Sequence, residues 1–70
     1  MPNEELGVIV ELNGEFRTVY VPANSDYEEL LDQLNLNPEE VLVFVGGHSV
    51  PLDQRVDPGT VRVLKVVSGG

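Results

Sequence analysis

The sequence predicts an α+β domain, a mixed sheet with one main helix packed on one face. Three features carry that expectation. Two strand-like runs meet at Asn13-Gly14. An apolar stripe at helical spacing follows, through Tyr27, Leu30, Leu31 and Leu34. Two valine-rich runs then occupy the second half of the chain. Seventy residues suffice for one such domain, and a domain of this size sits near the stability margin. Residues 1–67 are expected to form it, with 1–6 as a loose start and 68–70 as a flexible tail.

The elements follow in order. "GVIVELNGEFRTVYVP" reads as a hairpin, because Asn-Gly tolerates the positive φ angles of a tight type I′ turn. A two-residue turn pairs Leu12 with Glu15, Val10 with Arg17 and Val8 with Val19. Val8, Val10, Leu12, Val19 and Val21 then share the core face, and Ile9, Phe16, Thr18 and Tyr20 the other. That second face is unusually apolar, so either a bulge shifts the register or the face is used. The helix is expected over about ten residues of "NSDYEELLDQLNLNP". Ser25 with Glu28 forms a capping-box pattern, and Asp26, Glu28 and Glu29 suit the positive end of the helix dipole. Asn35 suits a left-handed helix end, and Pro38 blocks continuation.

"VLVFV", Val41 to Val45, reads as a strand, Gly46-Gly47 as a turn, and His48 to Val50 as a short strand ended by Pro51. Leu52 and Val56 are expected to be buried in an irregular connection. Pro58-Gly59 reads as the centre of a type II turn, and Val61 to Val67 as the last strand. A right-handed crossover sets the third or last strand parallel to the first. Hairpin, helix, strand, short strand, strand is the β-grasp (ubiquitin-like) order.

Composition excludes several function classes. There is no cysteine, which removes disulfides, thiolate metal sites and cysteine nucleophiles. Twelve acidic residues against four basic ones give a formal charge of -8. That charge disfavours direct nucleic-acid binding and anionic membrane surfaces. It fits either an acidic face that steers a basic partner or a salt-adapted surface. "MPNEEL" lacks a secretory pattern and no apolar run approaches membrane-spanning length. A cytoplasmic monomer is expected. His48, the single histidine, reads as a surface residue with no metal site around it. The Glu4-Glu5, Glu28-Glu29 and Glu39-Glu40 pairs read as solvated surface.

The stretch "VLVFVGGHSVPLDQRVDPGTVRVLKVVSGG" resembles the second half of the MoaD/ThiS-type sulfur carriers and, most of all, the small archaeal modifier proteins. The resemblance rests on the strand Val41–Val45, Gly47, Val50-Pro51, Gly59 and the closing Gly69-Gly70. It implies a carrier and not an enzyme. In that family an E1-like enzyme uses ATP and magnesium to adenylate the terminal carboxylate, here that of Gly70. The product is either an isopeptide bond to a target lysine or a thiocarboxylate for sulfur transfer to tRNA, molybdopterin or thiamine precursors. No bound cofactor is implied. Glycine lacks Cβ, so two glycines fit a narrow activating site where other residues clash.

Strand alternation sets Val41, Val43, Val45, Val61 and Val63 inward. Leu42, Phe44, Leu64 and Val66 are left as one outward patch for a partner. Lys65 is the single lysine, hence the one candidate acceptor for chains of the protein itself. The alternative function is a β-grasp interaction module without carrier activity. If the acidity is salt adaptation, molar potassium chloride screens self-repulsion and raises the thermal midpoint markedly over low salt. A midpoint that does not move in calorimetry removes that explanation.

Overall fold

The computed structural model describes residues 4–66. Expectations placed on Gly69-Gly70, on Val67 as the end of the last strand, and on residues 1–3 lie outside the described residues. The elements run β1 (Glu5–Leu12), β2 (Glu15–Pro22), α1 (Tyr27–Gln33), a 3-10 turn (Pro38–Glu40), β3 (Val41–Val45), β4 (His48–Ser49) and β5 (Gly59–Lys65). One five-stranded sheet has the order β2-β1-β5-β3-β4. Only β1 and β5 pair in parallel, and the remaining neighbours are antiparallel. The sheet is therefore the mixed β-grasp sheet that the element order predicts.

The hairpin follows from its turn. Asn13 and Gly14 both take positive φ, 55° and 78°, as a type I′ turn requires. The ladder runs without interruption from Leu12↔Glu15 to Glu5↔Pro22. No bulge exists, so the apolar outer side of the hairpin is a real face and not a shifted register. The expected loose start is corrected here. β2 is eight residues long, and its far end holds Glu5 and Leu6 in the ladder opposite Pro22 and Val21. The Ala23 N–H then donates to the Glu4 carbonyl at 3.0 Å.

The helix cap is also corrected, by one residue. Asp26, not Ser25, is the N-cap. Its carboxylate accepts from the Glu29 N–H at 2.9 Å, and Glu29 returns the bond to the Asp26 N–H at 3.2 Å. Both Ser25-x-x-Glu28 and Asp26-x-x-Glu29 satisfy the sequence pattern, and tertiary contacts decide between them. The Ser25 N–H donates to Pro22 O and its carbonyl accepts from Val56 N–H. This buries the Ser25 side chain, whose Oγ has no partner. Tyr27 and Glu28 give their N–H groups to the carbonyls of Gln54 and Leu52. The open donors of the first helical turn are thus met by the loop before β5.

The helix is seven residues long, shorter than expected. Asn35 takes φ 60°, its N–H bonds Asp32 O, and Leu36 N–H bonds Leu31 O. This is a Schellman ending, with Leu36 folding back onto the core. Pro38, expected only as a stop, begins the 3-10 turn, which Asn37 caps through Oδ1. One further correction concerns Pro58-Gly59. Gly59 is not the middle of a turn but the first residue of β5, paired to Val8, with φ 137°. Parallel pairing to β1 draws it into the ladder and accommodates a backbone that L-residues rarely adopt.

The core lies between the sheet and α1. Val8, Val10, Val21, Tyr27, Leu30, Leu31, Val41, Val43, Val56, Val61 and Val63 are buried in it, and Leu12, Val19, Leu34 and Leu52 are half-buried against it. The capping assignment is testable. Asp26→Ala is expected to cost about 1 kcal/mol, lowering the thermal midpoint by about 4–8 °C for a domain of this size. Ser25→Ala removes a buried hydroxyl without a partner and is expected to be neutral or stabilising. Thermal unfolding of both variants checks the pair.

Candidate interaction face

The side of the sheet away from α1 carries no covering element among the described residues. Its composition follows from alternation along each strand. Leu42 and Leu64 stand opposite each other on β3 and β5, and Phe44 stands opposite Arg62. Leu42 is 45% exposed, Leu64 43% and Val66 54%; Phe44 is half-buried. The structure brings these four predicted residues to one face. Val66 lies just past β5, yet its N–H donates to Glu40 O at 2.8 Å, which keeps the chain on the sheet through that residue.

The sequence did not reveal what borders this patch. Arg62 faces Glu11 across the β1–β5 pairing. Its Nε and Nη2 donate to the two carboxylate oxygens of Glu11 at 3.2 and 3.4 Å. An ion pair this open to solvent contributes about 0–1 kcal/mol. Its larger consequence is geometric, because it divides the outer face. On one side lie Leu42, Phe44, Leu64 and Val66. On the other lie the exposed Ile9, Phe16 and Tyr20. No spacing rule links Glu11 to Arg62, since the two meet only through the register of distant strands. A shallow groove of ≈ 520 Å³ runs along the pair, lined by Glu11, Phe44, Gly46, Gly47, Thr60, Arg62 and Leu64.

Lys65 is exposed and sits opposite Val41. Its parity matches Val61 and Val63, so it lies on the helix side of the sheet and not on the patch. His48 is exposed in β4. Among the described residues no group of three or more His, Asp or Glu is placed to hold a metal ion. No helix among them is long and apolar enough to cross a membrane.

The model of the small archaeal modifier protein 2 family matches residues 6–67. The chain belongs to that family. It is 39% identical over 66 residues to small archaeal modifier protein 2 of Haloferax volcanii, covering 93% of this chain and 100% of the relative. The sulfur carrier protein TtuB of Thermus thermophilus is 37% identical over 57 residues, covering 80% of this chain and 88% of the carrier. Among solved structures, an N-terminal ubiquitin-like domain superposes with a TM-score of 0.75 at 15% identity, over 99% of this chain and 82% of that one. The C-terminal ubiquitin-like domain of human 2'-5'-oligoadenylate synthetase-like protein superposes with a TM-score of 0.70 at 15% identity, over 100% of this chain and 93% of that one. These two likenesses establish the ubiquitin-like fold. The family is one of small ubiquitin-like modifiers, not of catalysts.

The division of the sheet into a core side and an outer side is open to test at adjacent positions of β5. Val63→Ala opens a cavity in the core and is expected to cost about 2 kcal/mol or more. Leu64→Ala is expected to cost less than about 1 kcal/mol, as surface substitutions do. Urea unfolding that ranks the two the other way would invert the assignment of faces.

Proposed function

We propose that this chain is a ubiquitin-like modifier and sulfur carrier whose Gly70 carboxylate is its reactive group. The observation that carries the reading is the 39% identity to a small archaeal modifier along that relative's whole length. Kinship to a named sulfur carrier accompanies it. In the proposed chemistry, a carboxylate oxygen of Gly70 attacks the α-phosphorus of magnesium-bound ATP in an E1-like enzyme, and pyrophosphate leaves. The acyl-adenylate then meets one of two nucleophiles. A target lysine amine displaces AMP to give an isopeptide bond. Sulfide-level sulfur (HS⁻) supplied by the partner attacks the acyl carbon and displaces AMP to give a thiocarboxylate, which donates sulfur onward, to tRNA or in molybdopterin or thiamine synthesis.

The division of labour suits this chain. It has no cysteine, so sulfur comes from the partner, and ATP, magnesium and catalytic groups belong to the activating enzyme. An ATP-using activating enzyme fits a cytoplasmic reaction. Leu42, Phe44, Leu64 and Val66 form the docking patch for that enzyme, at the end of β5 from which the chain continues towards Gly70. A module that only binds partners through this face is the competing reading, supported by the same exposed residues.

Intact mass and peptide mapping of the protein recovered from its own cells separate the two. Replacement of a terminal oxygen by sulfur is expected, as are remnants of this tail on lysines of other proteins, Val-Val-Ser-Gly-Gly after tryptic cleavage at Lys65. Deleting Gly69-Gly70 is expected to abolish both products with the thermal midpoint unchanged. An unmodified carboxylate in every fraction, with no conjugates, would leave the binding module as the better account.

A further inference from the structure

Among the described residues no strand pairs with the outer edge of β2, and that edge has features that the modifier reading does not use. Its hydrogen-bonding phase is set by the Ala23–Glu4 bond and the unbroken register of the hairpin. Bonded and non-bonded pairs alternate along an antiparallel ladder. Glu15, Arg17, Val19 and Val21 therefore turn their N–H and C=O groups toward β1. Phe16, Thr18 and Tyr20 turn theirs to the open side. The side chains of the same three residues lie on the outer face, with Phe16 66% and Tyr20 61% exposed. Tyr20 lies across Gly7, where an added Cβ would meet its ring at 3.1 Å.

Sheets usually blunt such an edge with a short strand, a bulge, a proline or a charge. The opposite edge follows that rule, since β4 is two residues long. β2 is eight residues long and has no bulge, and its only proline is the terminal Pro22. None of the three residues that face the open side is charged.

We propose that this edge is a homotypic interface, on which β2 of a second copy adds in antiparallel fashion about a two-fold axis at Thr18. The register supplies the argument for a second copy. With Thr18 opposite Thr18, all three open residues enter bonded pairs, and Phe16 of each copy faces Tyr20 of the other. Registers centred elsewhere leave Phe16 or Tyr20 without a bonded counterpart. The strand is thus complementary to itself, and two cross-strand aromatic pairs accompany the backbone bonds. In the same register Arg17 faces Val19 and Glu15 faces Val21, so no two carboxylates meet. Glu11, the nearest outer-face carboxylate toward the turn, is already engaged by Arg62.

The opposing force is the formal charge of -8 on each copy. That repulsion is long-range and fades when the Debye length falls to about 3 Å at 1 M salt, whereas the aromatic seam does not depend on ions. Association therefore increases with salt. At high ionic strength it replaces the monomer that the sequence suggests.

The test uses the full chain in sedimentation equilibrium and amide hydrogen exchange, at low and at molar potassium chloride. In molar salt the mass is expected to rise with concentration toward two chains. The Phe16, Thr18 and Tyr20 amides are expected to exchange about tenfold more slowly or better, with Arg17 and Val19 little changed. Thr18→Pro removes the central outward N–H without touching the β1 ladder and is expected to stay monomeric with an unaltered circular dichroism spectrum. If that variant does not fold, the double variant Phe16→Ser, Tyr20→Ser keeps the backbone, removes both exposed aromatic pairs from the seam, and is expected to stay monomeric too. A chain that remains monomeric at high concentration in molar salt overturns the proposal. So does association that survives whichever variant folds, or edge protection that appears only when another protein is added. Neither variant is expected to alter conjugate or thiocarboxylate yield, so this proposal and the carrier reading fail separately.

Discussion

The pairing of β1 with β5 joins the two ends of the described chain in the middle of the sheet, and most other features depend on it. Glu11 and Arg62 meet across a separation of 51 residues, so the loop-closure entropy of nearly the whole domain is spent on this contact. Once it forms, β2 and β3 have neighbours to add to, and the inward valines of β1 and β5 present one surface to α1. The loop before β5 is then brought to the first turn of the helix. The carbonyls of Leu52 and Gln54 meet N–H groups there that would otherwise remain unpaired. Sheet closure and helix capping are therefore parts of one cooperative event.

Local chemistry made much of this architecture legible in the sequence. Asn13-Gly14 announced the hairpin and its register, the Tyr27-Leu30-Leu31 spacing announced the buried helix face, and the valine parity separated inward from outward positions on β3 and β5. The errors cluster where a distant partner decides. Ser25 and Asp26 are equivalent caps on local grounds, and only the bonds of Ser25 to Pro22 and Val56 assign the role to Asp26. Gly59 belongs to a turn by propensity and to a strand because Val8 stands beside it. Glu5 and Leu6 look unstructured alone and are ordered by the far end of β2.

The candidate site was half legible. Leu42, Phe44, Leu64 and Val66 were visible as an outward cluster because each follows from alternation within its own strand. The ion pair that bounds them, and the separate aromatic edge beyond it, needed the strand order. Acidity and exposed apolar surface also occupy different places on this molecule. Carboxylates gather around α1 and the 3-10 turn, while the outer face is largely neutral. Such a layout keeps a small domain soluble through one side while leaving the other free for contact.

The central position of β5 has a mechanical consequence. A load applied through the C-terminal side of the chain enters a strand flanked on both sides, by β1 in parallel and by β3 in antiparallel orientation. Pulling along β5 away from β1 strains many inter-strand bonds together, as in shear, and does not peel them one at a time. A domain tethered to another protein by that end would resist forced extraction better than one tethered through an edge strand.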